Sequence, residues 1–301
     1  MSTPLSRRSA LGRLAGGAAV AAAAASLQTR LGAAEAAVGP ALKGRIRHSV
    51  CKWCYPKVSL EELCVAGKAM GLESIELLNP SDFPTLKKHG LTCAMVNGPF
   101  VGPNRIGRIE KAWNRVEHHD LLVPAYEQRI REVAEAGLTH VICFSGNRDG
   151  LADEKGLENC ALGLQRLMPA AEKAKVTVVM ELLNSRVDHR DYMCDKSAWG
   201  VELCRRIGSE RFKLLFDIYH MQIMEGDIIA TIRKHHASFA HYHTGGVPGR
   251  AEIDDSQEIH YPAIMRAIAE TGFKGHVAQE FIPKRPDALA SLRQGVGLCD
   301  V

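Results

Sequence analysis

Four ionisable residues interrupt the most apolar runs of this 301-residue chain. Glu181 sits inside VTVVMELLN, Asp217 closes KLLFD, His243 lies in FAHYHTGG and Glu280 ends HVAQE. A carboxylate at the end of an apolar strand costs several kcal/mol to desolvate unless a cation or hydrogen bonds meet it. Any one of the four, taken alone, reads as an ion pair or a polar strand end. Three carboxylates and an imidazole brought to one place form a hard oxygen and nitrogen donor set that suits manganese, magnesium, cobalt or zinc. Together they predict a site for one divalent metal ion.

The order of elements is what would bring them together. Short apolar, β-branched runs alternate with segments of helical spacing, the rhythm of βα units. Candidate strands cover 45–51, 74–78, 91–97, 140–145, 176–184, 213–219, 239–244 and 276–282. Among the helices, Ser59-Leu60-Glu61-Glu62 reads as a capping box, 121–136 stops before Gly137, and 261–270 has Pro262 in its first turn and Gly272 after its end. A helix after each strand makes the sheet parallel, and eight such units predict an α/β protein with a single (β/α)8 TIM barrel. An open, doubly wound sheet is the alternative, but no G-x-G-x-x-G follows the first strand. Catalytic side chains of a barrel gather at the C-terminal ends of its strands. Glu181, Asp217, His243 and Glu280 fall at the ends of strands five to eight, neighbours around that rim. The stretch 98–120, rich in Gly, Pro, Asn and charge, reads as a loop over the mouth, a lid or a substrate wall.

Composition sets the class. With 46% hydrophobic and 24% charged residues the chain is an ordinary globular protein. Most of its +4 formal charge resides in Arg7, Arg8, Arg13 and Arg30, so the body is nearly neutral and offers no electrostatic case for nucleic acid. Arg7-Arg8, the Ala/Gly-rich stretch 14–27 and the small-x-small run Ala34-Glu35-Ala36 read as a twin-arginine signal peptide over 1–36, ahead of the barrel domain at 37–301. That predicts an exported, periplasmic protein. No segment approaches about 18 uninterrupted apolar residues, so no stable membrane insertion is expected. Nine scattered cysteines, an odd count, imply no disulfide framework; Cys51-Lys52-Trp53-Cys54 has metal-knuckle spacing but lacks a second pair. The sequence leaves a homo-oligomer open.

Several segments resemble a known family. Glu181-Leu182-Leu183-Asn184, the run FDIYHMQIMEGD from Phe216 to Asp227, Pro248-Gly249-Arg250 and Gln279-Glu280-Phe281 are similar to hydroxypyruvate isomerases. Those belong to the xylose isomerase-like barrel superfamily, which also holds the tagatose/psicose 3-epimerases. The run from Phe216 is the specific part, and the likeness spans about 46–282. It implies that Glu181 and Glu280 are the two glutamates that bind metal and shuttle protons, that Asp217 is the aspartate ligand, and that His243 is the fourth ligand. It further implies that His220 touches a substrate oxygen and that Arg250 binds the far end of the substrate. Three features depart from the patterns of these families, the expected export being one, since relatives acting on central metabolites work in the cytoplasm. The fourth ligand is a histidine, as in the epimerases, where the isomerases carry glutamine; and Val187 stands where the epimerases place a glutamate.

The expected reaction is proton transfer next to a carbonyl, through an enediolate, on a small sugar or keto-acid substrate. One glutamate removes the C–H proton and the other returns it. Return to the neighbouring carbon isomerises; return to the opposite face epimerises. A sugar 3-epimerase, a metal-dependent lyase or dehydratase on oxidised sugars, and an exported sugar-binding protein without turnover are the alternatives. Trp53 is a candidate aromatic wall for the substrate. Asp188, His189 and Asp191 follow strand five and are within reach of the rim. His118-His119-Asp120 reads as a helix cap or a solvated cluster, and Lys52 as a solvated lysine.

Overall fold

The structure is a computed structural model that describes residues 41–301. The expected leader, with its twin arginines and cleavage run, lies outside the described residues. Seven parallel strands form one sheet in the order β2-β1-β7-β6-β5-β4-β3. They are β1 (Arg47–Cys51), β2 (Ser74–Glu76), β3 (His140–Cys143), β4 (Thr177–Glu181), β5 (Phe212–Asp217), β6 (Phe239–Thr244) and β7 (His276–Gln279). The helices are α1 (Leu60–Ala69), α2 (Phe83–Lys88), α3 (His119–Glu135), α4 (Asp153–Gln165), α5 (Met168–Ala174), α6 (Ser197–Ile207), α7 (Ile218–Met224), α8 (Ile228–His235), α9 (Tyr261–Glu270) and α10 (Ala288–Cys299). Strands buried on both faces carry near-continuous apolar runs, and Val50, Ile75, Val141, Val178, Val179, Leu214, Leu215 and Val277 are buried here.

One expected strand fails as a regular element. Residues 91–97 join the wall only through isolated parallel bridges, Ser74 with Thr92, Leu78 with Val96, and Val96 with Val141. The cause is local. Ser74 Oγ takes the Ala94 N–H at 2.8 Å, removing it from the ladder, and Leu77, just after β2, bends the partner strand with a left-handed φ of 56°. The fold is therefore a TIM-barrel-like α/β ring with seven regular strands rather than eight.

The helix starts obey their signals. Ser59 caps α1 reciprocally: its Oγ accepts from Glu62 N at 3.1 Å and Glu62 Oε2 accepts from Ser59 N at 2.9 Å. The α9 bounds coincide with the expectation. Most strands are shorter than expected: 140–145 ends at Cys143, 176–184 at Glu181, 276–282 at Gln279 and 74–78 at Glu76. Two further differences have a local cause. β5 stops at Asp217 rather than running to Tyr219, because Asp217 Oδ1 accepts from His220 N at 3.0 Å and starts α7 at once. α3 begins at His119, two residues early. His119 is buried and pairs through Nε2 with Trp113 O at 3.0 Å, while His118 Nδ1 pairs with Ala112 O at 2.9 Å. The solvated reading of that pair is thus corrected: both rings tie the long loop to its helix.

That loop is anchored. Trp113 is fully buried against Tyr126 and His119, with ring centroids 5.2 and 5.9 Å apart. Asn114 N donates to Ser145 O and Asn147 N to Glu110 O, so the loop lies along the rim after β3. Among the described residues no helix is long and apolar enough to cross a membrane.

Candidate active site

Register sets the site. Asp217 pairs with His243 across β5 and β6, His243 with Ala278 across β6 and β7, and Glu181 with Leu215 across β4 and β5. Side chains two apart on a strand share a face, so Glu280, two residues after Ala278, turns inward beside His243. Ligand atoms of Glu181, Asp217, His243 and Glu280 all lie within 4.8 Å of one another, and all four residues are buried. His243 Nδ1 is 2.9 Å from Glu280 Oε2, 3.2 Å from Glu181 Oε1 and 3.9 Å from Asp217 Oδ2. His243 faces the cluster, and His241 lies one layer away along the same strand.

The donor set fits a divalent cation. Glu181 Oε1 and Asp217 Oδ2 are buried and accept no hydrogen bond, although both face the cluster. Buried carboxylate oxygens left in this way are costly unless something positive meets them. Burial, and next the charge of Glu280, push the carboxyls of both Glu181 and Asp217 upward. Burial also works on Glu280, but His243 and Arg250 outweigh it and hold this carboxyl well below the usual range. The His243 imidazole is pulled down by burial yet raised on balance, with Cys51 and Glu280 as the leading acidic neighbours. Burial keeps the Cys51 thiol protonated, so the carboxylates carry that rise.

Arg250 and Trp53 complete the cluster. Arg250 Nη2 donates to Glu280 Oε2 at 2.5 Å and stands 3.7 Å from Asp217 Oδ2. Its backbone is left-handed, with φ 54°, held by Arg250 N to Gly246 O at 2.8 Å and Ile282 N to Arg250 O at 2.7 Å. Gly246 permits this turn, since a Cβ there would sit 2.3 Å from Glu252 O. The guanidinium lies 5.0 Å from the Trp53 ring and 5.4 Å from that of Tyr219. Trp53, 43% exposed, donates its indole N–H to Glu280 Oε1 at 2.8 Å.

His220 is oriented from behind. Asn184 Oδ1 accepts from Val187 N and Asp188 N, at 2.9 and 3.0 Å, which fixes the amide. Its Nδ2 then faces His220 Nδ1 at 2.7 Å and Asp188 Oδ2 at 2.6 Å. A nitrogen that accepts leaves the proton on the other one, so Nε2–H is the free donor. This Nε2 is buried, has no hydrogen-bond partner and lies 3.8 Å from Asp217 Oδ2. Burial, then Arg250, lowers the His220 pKa far enough to keep the ring neutral.

Of the other expected neighbours, Asp188 holds the Tyr219 hydroxyl at 2.7 Å and His189 packs on His220 at 5.2 Å. Asp191 instead accepts from Asp149 N, and Lys52 Nζ closes its own turn on Tyr55 O. Sequence reasoning missed Glu76. It is fully buried at the end of β2, and its Oε1 lies 2.9 Å from His243 Nε2 and 2.7 Å from His241 Nε2. The signal that flagged Glu181, a carboxylate in an apolar run, applied to it too. A cavity of about 430 Å³ at the opposite end of the strands, lined by Arg47, His140, Lys274 and His276 among others, takes no part in the cluster.

A parallel α/β ring carrying a buried mixed carboxylate and imidazole cluster at the C-terminal rim defines the class of protein. Residues 68–297 match the xylose isomerase-like TIM barrel family. The chain belongs to that family, and its relatives include proteins named isomerases and epimerases. It is 24% identical over 245 residues to a putative hydroxypyruvate isomerase of Homo sapiens, covering 77% of this chain and 87% of that one. It is 32% identical to the putative hydroxypyruvate isomerase of Drosophila melanogaster, over 66% of this chain and 75% of the relative. A 2-oxo-tetronate isomerase of Cupriavidus necator is 33% identical over 42% of this chain and 47% of its own length. Among solved structures, a family 2 AP endonuclease from Brucella melitensis superposes with a TM-score of 0.73 at 22% identity, covering 82% of this chain and 96% of that one. D-psicose 3-epimerase with D-tagatose from Clostridium cellulolyticum gives 0.63 at 16% identity, covering 83% and 89%. The IOLI protein with a bound zinc atom gives 0.63 at 13% identity, covering 84% and 95%. At those identities the structural likeness is one of fold.

Proposed function

We propose that this chain is a divalent-metal-dependent isomerase that moves a proton between adjacent carbons of a small hydroxy-carbonyl compound, in the manner of a hydroxypyruvate isomerase. The observation that carries the reading is the pair Glu181 and Glu280 in one buried cluster with Asp217 and His243. Those four residues would hold the ion, which supplies Lewis-acid stabilisation of the negative charge that builds on the carbonyl oxygen.

The protein's own groups divide the remaining work. Glu280, kept ionised by His243 and Arg250 despite its burial, is suited to take the C–H proton. Glu181, in the same buried cluster, is suited to return the proton to the adjacent carbon. His220 offers a neutral N–H to the substrate oxygen, and Arg250 orients a carboxylate or hydroxyl group. Trp53 walls the entrance while fixing one oxygen of Glu280.

A sugar 3-epimerase is the second reading, favoured by a histidine rather than a glutamine as fourth donor. The test is NMR of hydroxypyruvate, 2-oxo-tetronate and ketohexoses with metal-loaded protein in D2O. Isomerisation yields the aldehyde product with solvent deuterium at the adjacent carbon, and epimerisation yields the inverted ketose. In both cases Glu280→Gln abolishes the label. A substrate that binds without exchange overturns both readings and leaves the exported binding protein.

The sequence also supports export to the periplasm through Arg7-Arg8. All nine cysteines are free and eight are buried, as suits cargo that folds before it crosses. Replacing Arg7 and Arg8 by lysine should leave the protein in the cytoplasmic fraction; unchanged periplasmic recovery would overturn that part.

A further inference from the structure

We infer that Glu76 is a positioning residue that fixes the His243 ring for metal binding, an inference that rests on the four-donor reading above. A neutral imidazole carries one N–H and one lone pair, so it can ligate only through the nitrogen that has no proton. His243 presents Nδ1 to Glu181 and Glu280, and Nε2 to Glu76 Oε1 at 2.9 Å. Coordination through Nδ1 requires the proton on Nε2, and the acceptor waiting there is a carboxylate. That carboxylate is fully buried on β2, across the barrel interior from β6.

The surroundings of Glu76 argue for a charge rather than a filler. Its Oε1 receives His241 Nε2 at 2.7 Å as well as His243 Nε2, with the Cys51 thiol at 3.9 Å. No arginine or lysine reaches it among the described residues. Two imidazoles thus hold a buried carboxylate, and one of them passes its influence to the cluster. A carboxylate behind a ligating histidine fixes its tautomer and makes it more basic. The glutamine isostere keeps the shape and an acceptor oxygen but loses the charge. Glu76, His241 and His243 lie close enough to be considered a second cation site. One oxygen shared between two ring nitrogens at hydrogen-bond distances favours the positioning role instead.

The experiment compares wild type with Glu76→Gln by titrating Zn2+ and Mn2+ into metal-free protein in a calorimeter. The expected result is one ion per chain in both, with affinity about 10- to 100-fold lower in the variant and an unchanged Tm of the metal-free protein. In zinc-loaded wild type, 15N NMR should place the His243 proton on Nε2. That spectrum decides the matter even if the variant fails to fold. Equal affinity in the two proteins, or a proton on Nδ1, overturns the inference while leaving the metal reading intact. Two ions bound by wild type and one by the variant overturn it too, because Glu76 is then a ligand. A wild type that binds neither ion overturns the metal reading first and the inference with it.

Discussion

Trp53 and Glu280, 227 positions apart in sequence, are joined by a hydrogen bond of 2.8 Å from the indole N–H to Oε1. The other oxygen of the same carboxylate accepts from Arg250 and lies 2.9 Å from His243 Nδ1. Glu280 is therefore clamped at both oxygens, by groups from the turn after β1 and from the loop after β6. A carboxylate fixed in this way meets a substrate in one orientation, which is what a proton-abstracting group needs.

Removing the indole donor should show in turnover more than in stability. Hydrogen bonds to charged groups contribute about 1.5–3 kcal/mol, and less at the 43% exposure of Trp53. Trp53→Phe keeps the aromatic wall and should lower kcat about tenfold with an unchanged Tm. Wild-type kcat in this variant would remove the clamp from the mechanism.

The two glutamates should fail as a unit. A general acid or base contributes about 10²–10⁴-fold, so Glu181→Gln and Glu280→Gln should each fall within that range or below it. The double variant should be little slower than the worse single one, because neither group works without the other. Multiplicative losses, read from steady-state rates of the four proteins, would argue for independent roles.

Metal uptake should release protons and strengthen as pH rises. Burial and Glu280 raise the carboxyls of Glu181 and Asp217, and the acidic neighbours raise His243. Raised values mean that the metal-free cluster keeps protons to higher pH than isolated groups would, and a ligating atom must give its proton up. Calorimetry at one pH in two buffers of different ionisation enthalpy should show net release, and affinity should rise from pH 6 to pH 8. Heats independent of the buffer would contradict this.

Acid should weaken the fold from the opposite end of the barrel. Burial and the neighbouring His241 lower both His140 and His276 to about 4. These rings are neutral when folded, whereas an unfolded histidine takes a proton near pH 6.5. The stability they allow is complete above about pH 6.5 and is lost as pH falls toward about 4, a few kcal/mol in all. Tm should therefore drop between pH 7 and pH 4.5, and less steeply in His140→Gln. A parallel fall in both proteins would place the acid sensitivity elsewhere.

Much of the site was legible because burial leaves a signature in composition. Glu181, Asp217, His243 and Glu280 stood out as polar breaks in apolar runs, and strand periodicity assigned them to one rim. Glu76 carried the same signature, a carboxylate inside the apolar run 74–78, but sits on the second strand, away from the four neighbouring strand ends that drew attention. Other features depended on atoms rather than patterns. The amide of Asn184 sets His220 through two backbone N–H groups, and Ser74 Oγ diverts one N–H of the 91–97 segment. Neither changes hydrophobicity, so periodicity was blind to both. His119 misled for the reverse reason: a polar residue whose partner is a backbone carbonyl reads as solvated.

The seam at 91–97 gives the ring uneven compliance. Among the described residues two backbone hydrogen bonds, Val96 N to His140 O and Ile142 N to Val96 O, join that segment to β3, whereas β4, β5, β6 and β7 pair through longer parallel ladders with one register shift, between Leu214 and Leu215. All four donors of the cluster ride on that better-paired side. A cylinder with one loose stave widens there first, so strain from a longer or bulkier occupant is absorbed beside the 98–118 loop while the donor distances hold. Amide protons of 91–97 should accordingly exchange with solvent sooner than those of β4 to β6, making this sector the barrel's expansion joint.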